Sequence, residues 1–315
     1  MLYPIISLVI GLVVLVWSAD KFVLGAASTA KNFGMSPLLI GLTIVSFGTS
    51  APEILVSIMA TVSDTGSLAI GNAIGSNIAN IALVLGATAL IAPLPVKNTV
   101  RSKEMPLMLA VTVLAGVLLF NLQLDTLDSI LLFIALAISL VMFARFQKGL
   151  HDPAADEEEI VDMSTLRSIL WLLLGLGLLI ASSKALVWGA TEIAVTLGVS
   201  DLVIGLTIVA IGTSLPELAA SISSALKGHH DIAIGNIIGS NIFNLGAVMA
   251  IPGLVSPIVL DAQVFNRDFL LMLALSALLL VFCYMRKPAA VKRPEGAALL
   301  GIYGGYMLIL YLTSV

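Results

Sequence analysis

One 22-residue stretch occurs twice in this chain of 315 residues. Residues 36–57 read SPLLIGLTIVSFGTSAPEILVS, and residues 200–221 read SDLVIGLTIVAIGTSLPELAAS; 14 of the 22 positions match at an offset of 164. The same offset relates LAIGNAIGSNIAN at 68–80 to IAIGNIIGSNIFN at 232–244. The chain is therefore built from two equivalent halves. Each first stretch sets Gly-Thr-Ser-x-Pro-Glu inside an apolar run: Gly48, Thr49, Ser50, Pro52 and Glu53, then Gly212, Thr213, Ser214, Pro216 and Glu217.

How the halves are related follows from the number of membrane spans. Hydrophobic residues make up 59% of the chain and charged residues 11%, against about 25% charge in a soluble domain. Apolar runs recur along the whole length, each near the ~20 residues a helix needs to cross a bilayer. A β-barrel would show short alternating segments instead. These features predict an all-α polytopic membrane protein with ten transmembrane helices, at 3–22, 36–62, 68–92, 105–121, 127–146, 167–187, 200–226, 232–254, 268–285 and 296–313. Residues 1–146 form an N-terminal five-helix repeat and 167–315 a C-terminal one. Five is odd, so the second repeat enters the membrane from the opposite side. That inverted arrangement is common among secondary transporters, with the site near the midplane where the repeats meet. Channels can share the symmetry.

The N-terminus has no basic segment and reads as the first span, not a cleaved leader. Alternate loops carry Lys31, Lys97, Arg101, Lys103, Arg145, Lys148, Arg167, Lys227, Arg286, Lys287, Lys292 and Arg293 on one side and Arg267 on the other. The positive-inside rule puts the first set in the cytoplasm and both termini outside. The expected location is the cell (inner) membrane. Residues 147–166, with Glu157-Glu158-Glu159, form an acidic cytoplasmic linker, expected to be a solvated connection between the halves. The single cysteine, Cys283, excludes an intramolecular disulfide and a cysteine-based metal site; it lies in an apolar run and is expected to pack there.

Most of the 19 acidic residues fall in loops or at span ends, but Glu53 and Glu217 sit mid-span. A charge at the bilayer centre costs ~3 kcal/mol on insertion scales, so such residues usually face a cavity and bind something. A protonated glutamate tying two helices together is the alternative. Thr49 and Glu53 lie four residues apart on one helical face, with Ser50 three residues from Glu53. Pro52 lacks an N–H and frees carbonyls near 46–48, and Pro216 does the same near Gly212. A bound cation would satisfy them; so would a nearby hydroxyl or water. In the second motif Asn72, Ser76 and Asn80 follow at four-residue steps, as do Asn236, Ser240 and Asn244, while the glycines allow close helix packing. The ligands on offer are all oxygen, which suits hard cations and not transition metals. Two carboxylates neutralise one Ca²⁺, or host two or three Na⁺ at small net charge. No histidine or lysine lies beside either motif to activate a serine, so an enzyme is not expected.

The pairs GTSAPE with GSNIAN and GTSLPE with GSNIFN resemble the α-repeats of the calcium/cation antiporter superfamily, most closely the prokaryotic sodium/calcium exchangers. The resemblance covers both halves. It implies that Glu53 and Glu217 are the central metal ligands shared by Ca²⁺ and Na⁺, and that Thr49 and Thr213 add backbone carbonyls for Ca²⁺. It further implies that Ser50, Ser76, Ser214 and Ser240 serve flanking Na⁺ sites with carbonyls at Ser46 and Ala210, and that Asn80 and Asn244 sit at the centre. An archaeal-type exchanger carries Asp at the position of Asn244, so this chain has one acid fewer there. By resemblance, spans 1 and 6 slide past a core of spans 2–3 and 7–8. The implied function is Ca²⁺/Na⁺ antiport by alternating access, with proton-coupled antiport as the alternative. The transported ions are substrates and no cofactor is implied. The expected partners are inorganic cations and the lipid bilayer, with no nucleic acid and no obligate protein partner.

Overall fold

The computed structural model describes residues 2–148, 162–197 and 210–314. The long helices are α1 (Leu2–Phe33), α4 (Gly66–Ile91), α5 (Val100–Asn121), α6 (Thr126–Gln147), α7 (Thr165–Thr196), α10 (His230–Val255), α11 (Val264–Met285) and α12 (Arg293–Ser314). Each is long and apolar enough to cross a membrane. Between α1 and α4 lie α2 (Pro37–Thr49) and α3 (Ala51–Val62), bent by 44° at Ser50 into one broken span. The matching span of the second half is described from Ala210 onward, as α8 (Ala210–Thr213) and α9 (Leu215–Leu226). Residues 200–209, the first part of the expected seventh span, lie outside the described residues. The fold is the expected all-α, ten-span membrane architecture of two inverted repeats.

Local sequence explains the breaks. Ser36 caps α2 by accepting from Leu39 N at 3.1 Å, with Pro37 at the first helical position. Pro52 and Pro216 occupy the first turn of α3 and α9, where a missing N–H costs nothing. Single π-helical turns interrupt the helices at Ala79–Leu85 and Asn244–Val248, and at Val100–Glu104 and Val264–Phe269. Each pair falls close to the 164 offset, so the backbone irregularities are repeated along with the sequence.

The contacts fix the relative direction of the halves. Gly11 meets Ser182 and Leu186, while Gly25 meets Trp171 and Leu172, so α1 and α7 run antiparallel along their length. The equivalents Gly175 and Gly189 close the same crossing against Phe22 and against Pro4 and Leu8. In contrast, Leu38 meets Gly235 and Ser46 meets Gly239, so α2 runs parallel to α10. Both relations are what an inverted repeat requires. Two antiparallel two-residue ribbons sit at equivalent places: Leu94–Pro95 with Ala290–Val291, and Gln123–Leu124 with Ile258–Val259.

Burial separates the centre from the lipid-facing shell. The apolar windows of α10 and α4 are 89% and 72% buried, against 22–39% for the other long spans. The outer helices instead expose apolar side chains, such as Val9, Leu12, Val13 and Val16 of α1. That is the expected outside of a protein whose solvent is hydrocarbon. Two helices extend beyond their expected ends. The first span is expected at 3–22, yet α1 continues to Phe33. Its extension buries Val23, Ala26, Ala27 and Ala30 against neighbouring helices. In the same way α7 continues past 187 to Thr196. Residues 149–161 of the acidic linker, including Glu157-Glu158-Glu159, lie outside the described residues. The linker's far end is tied to α1, where Lys31 Nζ meets Asp162 Oδ1 at 2.5 Å and Asn32 Nδ2 donates to Met163 O at 2.9 Å. Cys283 is fully buried, as its apolar run implies.

Candidate functional site

The two helix breaks and the two Gly-Ser-Asn helices meet at the centre. Glu53 and Glu217 are each 1% exposed. Thr49, Ser50, Ser46, Asn80, Ser76, Ser214, Ser240 and Asn244 are all buried around them. Thr213 is partly buried, and the side chain of Ala210 lies outside what is described. Asn77 Nδ2 donates to Asn241 O at 3.2 Å. These two residues are 164 apart, so the pseudo-twofold axis passes between them.

Hydrogen bonds knit the halves together. Ser50 Oγ donates to Glu217 Oε1 at 3.3 Å, joining the first motif to the carboxylate of the second. Thr49 Oγ1 donates to Asn236 Oδ1 at 3.0 Å and lies 3.5 Å from Ser240 Oγ. Asn236 Nδ2 donates to Ser221 Oγ at 3.0 Å and to Glu217 O at 3.4 Å. Ser57 Oγ donates to Val248 O at 2.7 Å.

Several buried polar atoms have no partner: Glu53 Oε2, Glu217 Oε2, Ser214 Oγ, and both side-chain polar atoms of Asn80 and of Asn244. Leaving one such group unsatisfied costs about 1–3 kcal/mol, and more when it is charged. More than 90% of buried polar groups find partners in folded proteins. The oxygens among them, gathered around two carboxylates, are groups a cation would satisfy, whereas the two amide nitrogens are donors. Two carboxylates with amide, hydroxyl and carbonyl oxygens form a hard-cation set.

Of the two ways of satisfying a freed carbonyl, the hydroxyl is seen at Gly212. Pro216 does deprive the Gly212 carbonyl of its helical donor, but Ser183 Oγ of α7 donates to it at 2.8 Å. One of that carbonyl's two lone pairs is thereby satisfied by protein. The residue equivalent to Ser183 in α1 is Ala19, which has no hydroxyl. The roles of Ser183, Ser57, Ser221 and Asn236 were not assigned from sequence. Ser57 and Ser221 are the last identical pair of the repeated stretch, and that identity was the available signal.

Among the described residues, two cavities approach the site from one side. A cavity of about 660 Å³ is lined by Gly71, Asn72, Gly75, Ser76 and Thr213, and runs out past Asp261, Arg267 and Asp268. A second, of about 630 Å³, lies between α3 and α7 and also reaches Thr213. Both extend toward the α3–α4 turn. On the opposite side the equivalent surfaces are packed. Among the described residues, a Cβ at Gly71 or Gly75 would meet nothing within 4 Å, whereas one at Gly235 or Gly239 would run into the backbone of α2; most of the segment equivalent to α2 in the second half lies outside the described residues. Around Val96 and Ile234, the equivalents of Leu260 and Ile70 in the larger cavity, a space of only about 10 Å³ is left.

The model of the sodium/calcium exchanger protein family matches residues 3–145 and 167–312, nearly the whole chain. The chain belongs to the sodium/calcium exchanger family. It is 46% identical to CaxA of Alkalimonas amylolytica over 319 residues, covering 99% of each chain. It is 32% identical to the sodium/calcium exchanger MaX1 of Methanosarcina acetivorans, covering 96% of this chain and 97% of the relative. The solved structure of the sodium-calcium exchanger NCX_Mj superimposes with a TM-score of 0.84 at 31% identity, covering 100% of this chain and 99% of the other. The exchanger is thus a multi-pass membrane cation antiporter, and its two α-repeats are the two motif pairs described above.

Proposed function

We propose that this exchanger moves Ca²⁺ against Na⁺ by alternating access, with Glu53 and Glu217 as the shared carboxylates of one midplane site. The observation that carries this reading is the set of buried oxygens without partners, drawn from both repeats around two carboxylates. Asn80 and Asn244 complete the centre. Ser50, Ser76, Ser214 and Ser240, with the carbonyls of Ser46 and Ala210, serve flanking Na⁺, and the carbonyls of Thr49 and Thr213 serve Ca²⁺. Two carboxylates balance one Ca²⁺; with several Na⁺ the same pair again leaves a small net charge. A site that holds either load, and never both, couples the two fluxes.

The positive-inside rule puts the α3–α4 turn outside. The two open cavities then lead from the external face, and the packed surfaces of α2 and α10 close the cytoplasmic one. The relative YrbG of Escherichia coli is named an inner membrane protein at 39% identity, which supports the same membrane here. Exchanging the conformations of the two halves gives the inward-open form, the expected behaviour of an inverted repeat.

The test is Ca²⁺ uptake into vesicles of purified protein under imposed gradients. An outward Na⁺ gradient is expected to drive uptake at constant pH. Uptake driven equally by a pH gradient in Na⁺-free buffer would replace sodium with the proton as the driving ion. Uptake with no counter-ion gradient would make the protein a channel.

A further inference from the structure

Asn236 and Asn72 are equivalent residues in nearly the same sequence, AIGNIIGSN against AIGNAIGSN, yet they are in opposite situations. Asn236 is fully buried, and both ends of its amide are hydrogen-bonded. It accepts from Thr49 of α2 and donates both to Ser221 and to the backbone carbonyl of Glu217 in α9. One side chain of α10 thereby joins the two helix breaks on the packed side of the site. Asn72 lines the open cavity with Gly71, Gly75, Ser76 and Thr213. Its Nδ2 is buried and has no partner. The serines follow the same division. Ser221 accepts from Asn236, while its equivalent Ser57 donates to the Val248 carbonyl instead.

We propose that Asn236 and Asn72 are positioning residues that act in turn, each clasping the threonine of the opposite repeat and the glutamate backbone of its own when its side of the site is closed. In the form described here Asn236 is engaged and Asn72 is released. Exchange of the two halves brings Asn72 to Thr213, Ser57 and the Glu53 carbonyl, and releases Asn236. Neither amide is needed to bind the ion. The pair decides which face the site opens to, and keeps the released amide, with its unmet hydrogen-bonding capacity, on the open side. This rests on alternating access as proposed above.

The two asparagines must then affect the two faces with opposite sign. The apparent KM at a face varies inversely with the fraction of protein open to it. The ratio of external to internal KM therefore follows the equilibrium between the two forms. Asn236→Ala is expected to raise that ratio roughly tenfold, the scale of one or two buried hydrogen bonds. Asn72→Ala is expected to lower it by a similar factor, and the double variant to return it near the starting value. Both KM values are measured on oriented vesicles, with the external and internal cation varied separately.

A second readout does not depend on which ions move. Val56 borders both cavities, whereas its equivalent Ala220 is fully buried. A thiol introduced by Val56→Cys should be alkylated from the open side, against a background of the buried Cys283. Added Asn236→Ala should slow that reaction, and added Asn72→Ala should not. Asn236→Ser, a milder change, guards against loss of folding and should move both readouts in the direction of Asn236→Ala. A KM ratio unchanged in both single variants, or moved the same way in both, overturns the proposal, as does alkylation slowed by Asn72→Ala. Absence of Na⁺-driven Ca²⁺ uptake in the unsubstituted protein would refute the exchange reading instead, while alkylation would still report on the asparagines.

Discussion

Gly75 and Gly239 make the same prediction testable through packing alone. At Gly239 an added Cβ would lie 2.5 Å from the Leu42 carbonyl oxygen and against Ser46 Oγ. Backbone cannot yield as a flexible side chain does, so α2 must shift. Overpacking of this kind costs about 1–3 kcal/mol. At Gly75 the added Cβ would meet no described residue within 4 Å. Both substitutions gain about 1 kcal/mol of helix propensity on replacing glycine by alanine, so that gain cancels between them. Gly239→Ala therefore penalises the form described here, and Gly75→Ala penalises the exchanged form, in which position 75 takes the packed role. The closed-to-open ratio should move about 5- to 150-fold in opposite directions, as 1.4 kcal/mol per tenfold requires. The assay is alkylation of Val56→Cys from the open side, with turnover measured on the same preparations. Gly75→Ala should keep alkylation fast and reduce turnover, because the protein opens to one face and returns slowly. Gly239→Ala should slow alkylation. Fast alkylation in Gly239→Ala, or full turnover in Gly75→Ala, would refute the account of one-sided packing.

Further outcomes follow from individual contacts. Ser183→Ala removes the donor to the Gly212 carbonyl and should cost about 1 kcal/mol of stability, read as a lower melting temperature in detergent. Asp20 Oδ1 meets Lys227 Nζ at 2.6 Å, linking α1 to the end of α9. The equivalent pair, Lys184 and Ser63, cannot form an ion pair. Asp20→Asn should therefore weaken the closed side alone, by about 0.2–1 kcal/mol, the range of partly exposed pairs, seen as a higher external and a lower internal KM. Lys31 holds Asp162 below the usual carboxylate range through their ion pair. A depressed carboxylate keeps its contact above its ordinary pKa and loses it as pH falls through the lowered value. Linker proteolysis should therefore rise only in acid below that range, or at high salt, and Lys31→Gln should show the raised rate at neutral pH.

Much of this was legible in sequence because the membrane makes mistakes expensive. A carboxylate in an apolar run must have a purpose, so Glu53 and Glu217 stood out, and the offset of 164 joined them. The odd span count supplied the inversion, which the antiparallel α1–α7 and parallel α2–α10 contacts display. What sequence could not carry is asymmetry. Asn72 and Asn236 sit in nearly the same words, and so do Gly75 and Gly239, yet among the described residues one of each pair is packed and the other lines a cavity. A repeat specifies both arrangements equally, and only the conformation selects between them. The expected end of the first span at residue 22 also falls short: Asp20 and Lys21 find partners in Lys227 and the rings of Trp17 and Trp171, and the helix continues to Phe33. The fate of the Gly212 carbonyl freed by Pro216 depended on Ser183, 29 residues away in sequence and on another helix. No local pattern announces that contact.

The central claim is one site, shared in competition, with both glutamates required. Its most direct measurement is equilibrium binding of Ca²⁺ to the purified protein across a series of Na⁺ concentrations, repeated for Glu53→Gln and Glu217→Gln. The account predicts that the apparent Kd for Ca²⁺ rises more steeply than the first power of Na⁺ concentration, and that either substitution weakens Ca²⁺ binding by at least about 100-fold, the scale set by unpairing a buried ion. Ca²⁺ binding that is indifferent to Na⁺, or that survives in either variant, would contradict it.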